Sequence, residues 1–236
     1  HDVDEVGYTL RTASLMTDPE YFVDERDPSD YRLFGIRYLV LPAGHQPPVR
    51  ARLAMRSGPY WLWTIDGAGY VQAGRIVGEI SANRTNVGAR SVRLQQSGLA
   101  DAGAYLSVRY GVDGGGNGPL PTVRNQSPAG AVRAERVDLG DGEASATVRM
   151  RRPGIAVLSA SYDPGWTATV NGRRQPTRMV APALVAVDVP AGTDRVVFRF
   201  HGYGDYPEVL ALSGLTLAVV AVALVRRRAA SEMTRL

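Results

Sequence analysis

The chain holds three histidines, His1, His45 and His201, and no cysteine. No two of these histidines stand at metal-ligand spacing and no His-Glu-x-x-His occurs, so the pattern points to neither a metal nor a thiolate. Gly-x-Ser-x-Gly is absent too, and a serine triad would have to recruit an isolated loop histidine. Carboxylates offer a further possibility. Asp2, Asp4 and Glu5, and again Asp24, Glu25 and Asp27, are close enough to pair as acid and base in glycoside hydrolysis, which needs two carboxyls about 5–10 Å apart across a sugar. Clusters of this kind also cap helices and face water, and no motif surrounds these. No catalytic residue is assigned.

Aromatic residues are more suggestive. Trp61 and Trp63 stand two apart in a β-rich run, so their rings share one side of a strand, and an aromatic face can stack on a ring-shaped ligand. Tyr60, Leu62 and Ile65 are apolar as well, which favours a core strand covered on both faces. Trp166 follows the turn Asp163-Pro164-Gly165, where it either anchors a core or presents its ring at a rim. These three tryptophans are the candidate glycan contacts.

The elements that hold these residues divide into two kinds. Residues 1–110 read as a mixed α/β region: a short helix opened near Asp27-Pro28-Ser29, a buried strand over 36–41, strands over 60–65 and 75–80, a helix over 89–99 and a strand over 105–110. Residues 111–130 are too rich in glycine and proline for a regular element and read as a linker or loop, without the Gly-Lys-Ser/Thr ending of a phosphate cradle. Residues 131–205 carry short alternating runs at close spacing, the pattern of an antiparallel sandwich or jelly-roll-like fold. Among them, Asn171-Gly172 predicts a two-residue hairpin turn, and 195–200 alternates arginine with apolar residues as a half-buried strand does. The expected fold is mainly β, with a small α/β part first and one membrane helix last.

That last element is read from residues 206–225. Positions 209–225 carry no charge, their apolar residues fall on every side of a helix, and Arg226-Arg227-Arg228 follows at once. At about 1.5 Å per residue, some twenty residues cross a hydrocarbon layer of about 30 Å. Tyr203 and Tyr206 stand where an interfacial aromatic belt would be, and the arginines predict a cytoplasmic tail over 226–236 with the bulk of the chain outside.

Charge agrees with an external domain that does not bind nucleic acid. Four arginines and one glutamate follow Val225, leaving 23 arginines against 22 acidic residues, a net +1, before it. No concentrated basic face is evident there. Lysine is absent and alanine, glycine, valine and arginine abound, as in proteins of GC-rich bacteria. The first thirty residues are acidic, are broken by prolines and offer no signal peptide, so the chain reads as the carboxyl-terminal piece of a larger membrane protein.

The stretch from Val157 to Gly172, with Tyr162-Asp163-Pro164-Gly165-Trp166 at its centre, followed by Val189-Pro190-Ala191-Gly192 and the strand to Phe200, resembles the external carboxyl-terminal domain of the YfhO-type bacterial membrane proteins. Tyr31 to Val40 is similar to the segment that precedes that domain, while residues 50–130 match loosely and Thr193-Asp194 departs from a frequent histidine. The family is related to the GT-C glycosyltransferases, which use lipid-linked sugar donors. The resemblance implies a sugar-transfer system of the cell envelope at the bacterial plasma membrane, with a lipid-linked sugar as donor and an envelope glycan as partner. Its catalytic carboxylates would lie in loops this chain lacks, so none is carried over and the chain alone is not expected to be catalytic. The alternative is a non-enzymatic, membrane-anchored envelope module that binds polysaccharide or a partner protein.

Overall fold

A computed structural model describes residues 21–83, 85–111, 119–121, 129–138, 140–202 and 206–233, the last of these with side chains over 208–221. His1, Asp2, Asp4, Glu5, Tyr203 and most of the glycine-rich 111–130 stretch lie outside the described residues. The chain forms two units, residues 1–200 and residues 201–236.

The first unit begins with α1 (Pro28–Leu33), placed as its sequence predicts. Asp27 caps it, its carboxylate accepting from the Ser29 amide at 2.8 Å, and Pro28 fills the first turn, where no amide is needed. Next come β1 (Tyr38–Pro42), β2 (Ala51–Ser57) and β3 (Tyr60–Ile65), an antiparallel sheet in the order β1-β3-β2. The run over 36–41 was expected to be a buried strand. It is instead an edge strand, β1, with Tyr38 and Val40 53% and 64% exposed. A continuous apolar run predicts cover on both faces only if other layers exist to supply it, and among the described residues no further strand extends this sheet.

β4 (Val71–Ala82) is longer than the sequence suggests because it changes partner midway. Residues 71–74 pair antiparallel with β8 (Gly154–Ser161), and residues 75–82 pair parallel with β5 (Ala104–Tyr110). The parallel pairing needs a crossover, and α2 (Val87–Gln95) supplies it. The ring continues through β11 (Thr177–Val180) and β12 (Leu184–Val189), closing β11-β12-β8-β4-β5 into a barrel. Residues 1–110 and 131–205 thus contribute strands to one barrel, which contains a parallel pair that antiparallel patterning does not announce.

The remaining strands, β6 (Gly130–Asp138), β7 (Glu143–Met150), β9 (Trp166–Val170), β10 (Arg173–Gln175) and β13 (Gly192–Phe200), form an antiparallel sheet ordered β10-β9-β13-β7-β6. It covers one side of the barrel wall. Side chains alternate across β8 and β12: Ile155, Val157, Leu184 and Ala186 join one core with Leu33 of α1 and Val87 and Leu94 of α2. Ala156, Leu158, Val185 and Val187 join another with Val148, Val196 and Phe198 of the five-stranded sheet. Covered on both faces, residues 155–158 of β8 and 184–187 of β12 read as unbroken apolar runs.

The second unit is α3 (Tyr206–Met233). Its large described apolar side chains are exposed all round, from Val220 at 50% to Leu217 at 71%. Ser213 and Thr216 hydroxyls donate to the carbonyls of Val209 and Leu212, which hides their polarity against the backbone. Among the described residues no helix is long and apolar enough to cross a membrane. The span expected over 206–225 is therefore not found there; in α3 the described side chains end at 221, short of its last apolar residues.

Candidate functional site

Burial rises along β3 from Tyr60, 56% exposed, to Ile65, 4% exposed, so the three-stranded sheet projects from a buried root. The root is tied by the Ile65 amide donating to the Arg37 carbonyl at 2.8 Å. Arg37 in turn pairs with Glu135 of β6 at 3.1 Å, and Glu135 accepts from the Val71 amide at 3.0 Å. At the opposite end the Ala43 amide donates to the Pro59 carbonyl, and Gly58 takes the positive φ that the β2–β3 turn requires.

Trp61 and Trp63 share one face of this sheet, as their spacing predicts, with ring centroids 6.3 Å apart. Their environments differ. Trp63 is 7% exposed and its indole N–H is buried without a partner among the described residues, whereas Trp61 is half-buried. The Arg56 guanidinium lies over the Trp61 ring, 4.8 Å from its centroid, so aromatic face and cation form one surface. Trp166 belongs to the other sheet. It is 9% exposed, donates through Nε1 to the Ser161 carbonyl at 3.2 Å and packs on Phe200 at 5.2 Å. Of the three candidate glycan contacts, Trp61 has the most accessible ring, and the structure does not bring it together with Trp166 on one sheet.

The acidic cluster at 24–30 serves the start of α1. Asp27 caps the helix and Asp24 accepts from the Arg26 amide at 2.9 Å. Asp30, which sequence reasoning did not single out, is 2% exposed and accepts from the Asp24 amide at 2.8 Å and from Gln95 of α2 at 3.0 Å. Burial raises its pKa; the bonds from Gln95 and Asp24 oppose the shift, and the charges of Asp27 and Asp24 add to it. A second, partly buried network lies in the barrel: the Tyr105 hydroxyl donates to Gln72 Oε1 at 2.6 Å, Gln72 donates to Ser159 Oγ at 3.1 Å, and Ser159 donates to the Leu33 carbonyl at 3.0 Å. Burial raises the Tyr105 pKa, so this hydroxyl stays protonated and donates. Isolated polar residues in apolar runs are the only sequence trace of such networks. His45 follows β1 in an exposed loop. Among the described residues no three histidines or carboxylates gather as a metal site.

No curated protein and no solved structure matches the chain. Residues 125–210, which carry the Pro164-Gly165-Trp166 turn, the Asn171-Gly172 hairpin and the passage from β13 to the start of α3, match the model of a family described as the bacterial membrane protein YfhO, and the resemblance to that family holds over this segment.

Proposed function

We propose that the chain is the external β-rich portion and last span of a polytopic bacterial membrane protein that transfers sugars from lipid-linked donors during envelope glycan assembly. The observation that carries this reading is the match to a bacterial membrane protein family over 125–210, adjoining a helix whose described apolar side chains are exposed on all sides. Such a helix has no face to give to water, and a bilayer removes the cost. In this reading residues 206–225 cross the plasma membrane and Arg226 to Arg228 keep the tail in the cytoplasm.

The external unit is not catalytic by itself. It caps a membrane-embedded active site and holds acceptor glycan, with Trp61 and Arg56 as the contact that stacks on a sugar ring. The test is binding of purified envelope glycan to the whole chain in detergent. Substituting Trp61→Ala weakens binding about tenfold or more, the loss of one stacked ring, while near-ultraviolet circular dichroism of Trp63 and Trp166 is preserved. Absence of any glycan binding, together with unaltered sugar transfer by the full-length protein carrying the substitution, overturns the acceptor role.

A further inference from the structure

The other face of the same sheet carries a second surface. Register places Val40, Leu62 and Met55 side by side across the three strands, with Tyr38 and Tyr60 on the same face to either side of this row. Tyr38, Val40, Met55 and Tyr60 are each more than half exposed. A contiguous apolar face of this kind on a projecting sheet marks an interaction site.

Its charge identifies the partner. No acidic residue occurs between Asp30 and Asp66, a stretch that contains Arg32, Arg37, Arg50, Arg52 and Arg56. The Arg50 and Arg52 side chains are 93% and 76% exposed and share the single carboxylate of Asp66, at 3.5 and 2.9 Å. Arg37 is paired with Glu135 and Arg56 lies over Trp61 on the opposite face, so the charge available to this face is that of the highly exposed Arg50 and Arg52 against the one carboxylate of Asp66. Tyrosines and aliphatic residues beside two exposed arginines, with no acidic residue in the sequence between Asp30 and Asp66, complement a surface that is apolar below and negative along its rim. An anionic phospholipid leaflet has that chemistry: tyrosine rings settle at headgroup depth, and arginine forks pair with phosphates.

We propose that this face of the β1-β3-β2 sheet docks on the anionic phospholipid surface, independently of α3. The strand edges then lie at headgroup depth, where water still satisfies their free amides and carbonyls. Trp61 and Arg56 remain on the opposite face, turned away from the lipid.

Because the chain is free of cysteine, a single introduced thiol reports from one place. The whole chain is reconstituted into phosphatidylcholine vesicles with or without phosphatidylglycerol, carrying an environment-sensitive fluorophore through Val40→Cys, Met55→Cys, Arg174→Cys on β10 or Leu215→Cys in α3. A nitroxide at headgroup depth is expected to quench positions 40 and 55, and not 174, when phosphatidylglycerol is present. The double substitution R50Q/R52Q shifts the docked-to-free ratio by about thirtyfold toward free, the effect of two arginines at an anionic surface. Positions 40 and 55 remaining open to aqueous iodide in anionic vesicles overturns the proposal. Equal quenching without phosphatidylglycerol also overturns it, as does crosslinking of these positions in cells to a protein instead of to lipid. Quenching at 215 by a deep nitroxide with none at 40 and 55 refutes this surface while leaving the membrane anchoring intact.

Discussion

Asn171 clasps Asp194 across the five-stranded sheet, its Nδ2 donating to Oδ1 at 2.7 Å while its own Oδ1 accepts from the Arg195 amide at 2.9 Å. The same residue holds φ at 50° in the β9–β10 turn, next to Gly172 at 77°. Asn171 therefore joins a hairpin to the start of β13 and supplies the conformation the hairpin needs. Asn171→Gly keeps the turn and loses the clasp, costing about 1–2 kcal/mol; Asn171→Ala loses both and costs about 1 kcal/mol more, as the left-handed region penalises a Cβ. Urea denaturation of the two variants resolves the order, and equal costs would show that the turn conformation contributes nothing.

Stability should carry a pH signature from Asp30. A carboxyl with a raised pKa binds its proton more tightly when folded, so its contribution is favourable while it is protonated and is lost as pH climbs from the usual aspartate range through the folded value. Asp30→Asn retains an acceptor for Gln95 and cannot ionise. The difference in unfolding free energy, wild type minus variant, is expected to fall from about pH 4 toward pH 7. A difference that rises with pH would reverse the assignment.

Gly154 marks a close backbone approach in the barrel. A Cβ there would collide with the Gly74 carbonyl oxygen and stand 2.6 Å from Met150 Cε, so the backbone of β4 blocks any side chain. Gly154→Ala is expected to cost about 2–3 kcal/mol by overpacking, read as a lowered denaturant midpoint with an unchanged slope.

The tryptophans should separate by role. Trp166→Ala removes a ring packed on Phe200 and a buried hydrogen bond, for a loss of about 3–5 kcal/mol. Trp61→Ala, at a half-exposed position, is expected to cost about 1–2 kcal/mol. Thermal unfolding of both distinguishes a core ring from a surface ring; comparable losses would place Trp61 in the core.

Topology is testable in cells. A membrane-impermeant maleimide should label Arg174→Cys on intact spheroplasts and Ala230→Cys only after permeabilisation. Labelling of position 230 on intact cells would overturn the proposed orientation.

The elements legible in the sequence were those whose signal is local. The β9–β10 hairpin announces itself through Asn171-Gly172, α1 through Asp27-Pro28, and β3 through its aromatic run. What escaped depends on distant partners. Nothing near Val71 says that β4 will leave β8 for β5 at Arg75, because the exchange is set by chain segments on either side of α2. Likewise Val40 is of a type usually buried, and among the described residues no layer covers it. For the candidate site, the shared face of Trp61 and Trp63 followed from strand periodicity. The cation over Trp61 did not, since a bulge between Leu53 and Met55 sets the register that places Arg56 opposite Trp61.

The partner exchange in β4 also separates inheritance from self-sufficiency. The 125–210 segment that matches the family model holds β8, β11 and β12 but not β4 and β5. Excised at that boundary, it would present two raw sheet margins and a stripped apolar wall, which is a recipe for clumping. Whatever else this region does in the cell, it must be synthesised and matured together with the hundred residues ahead of it.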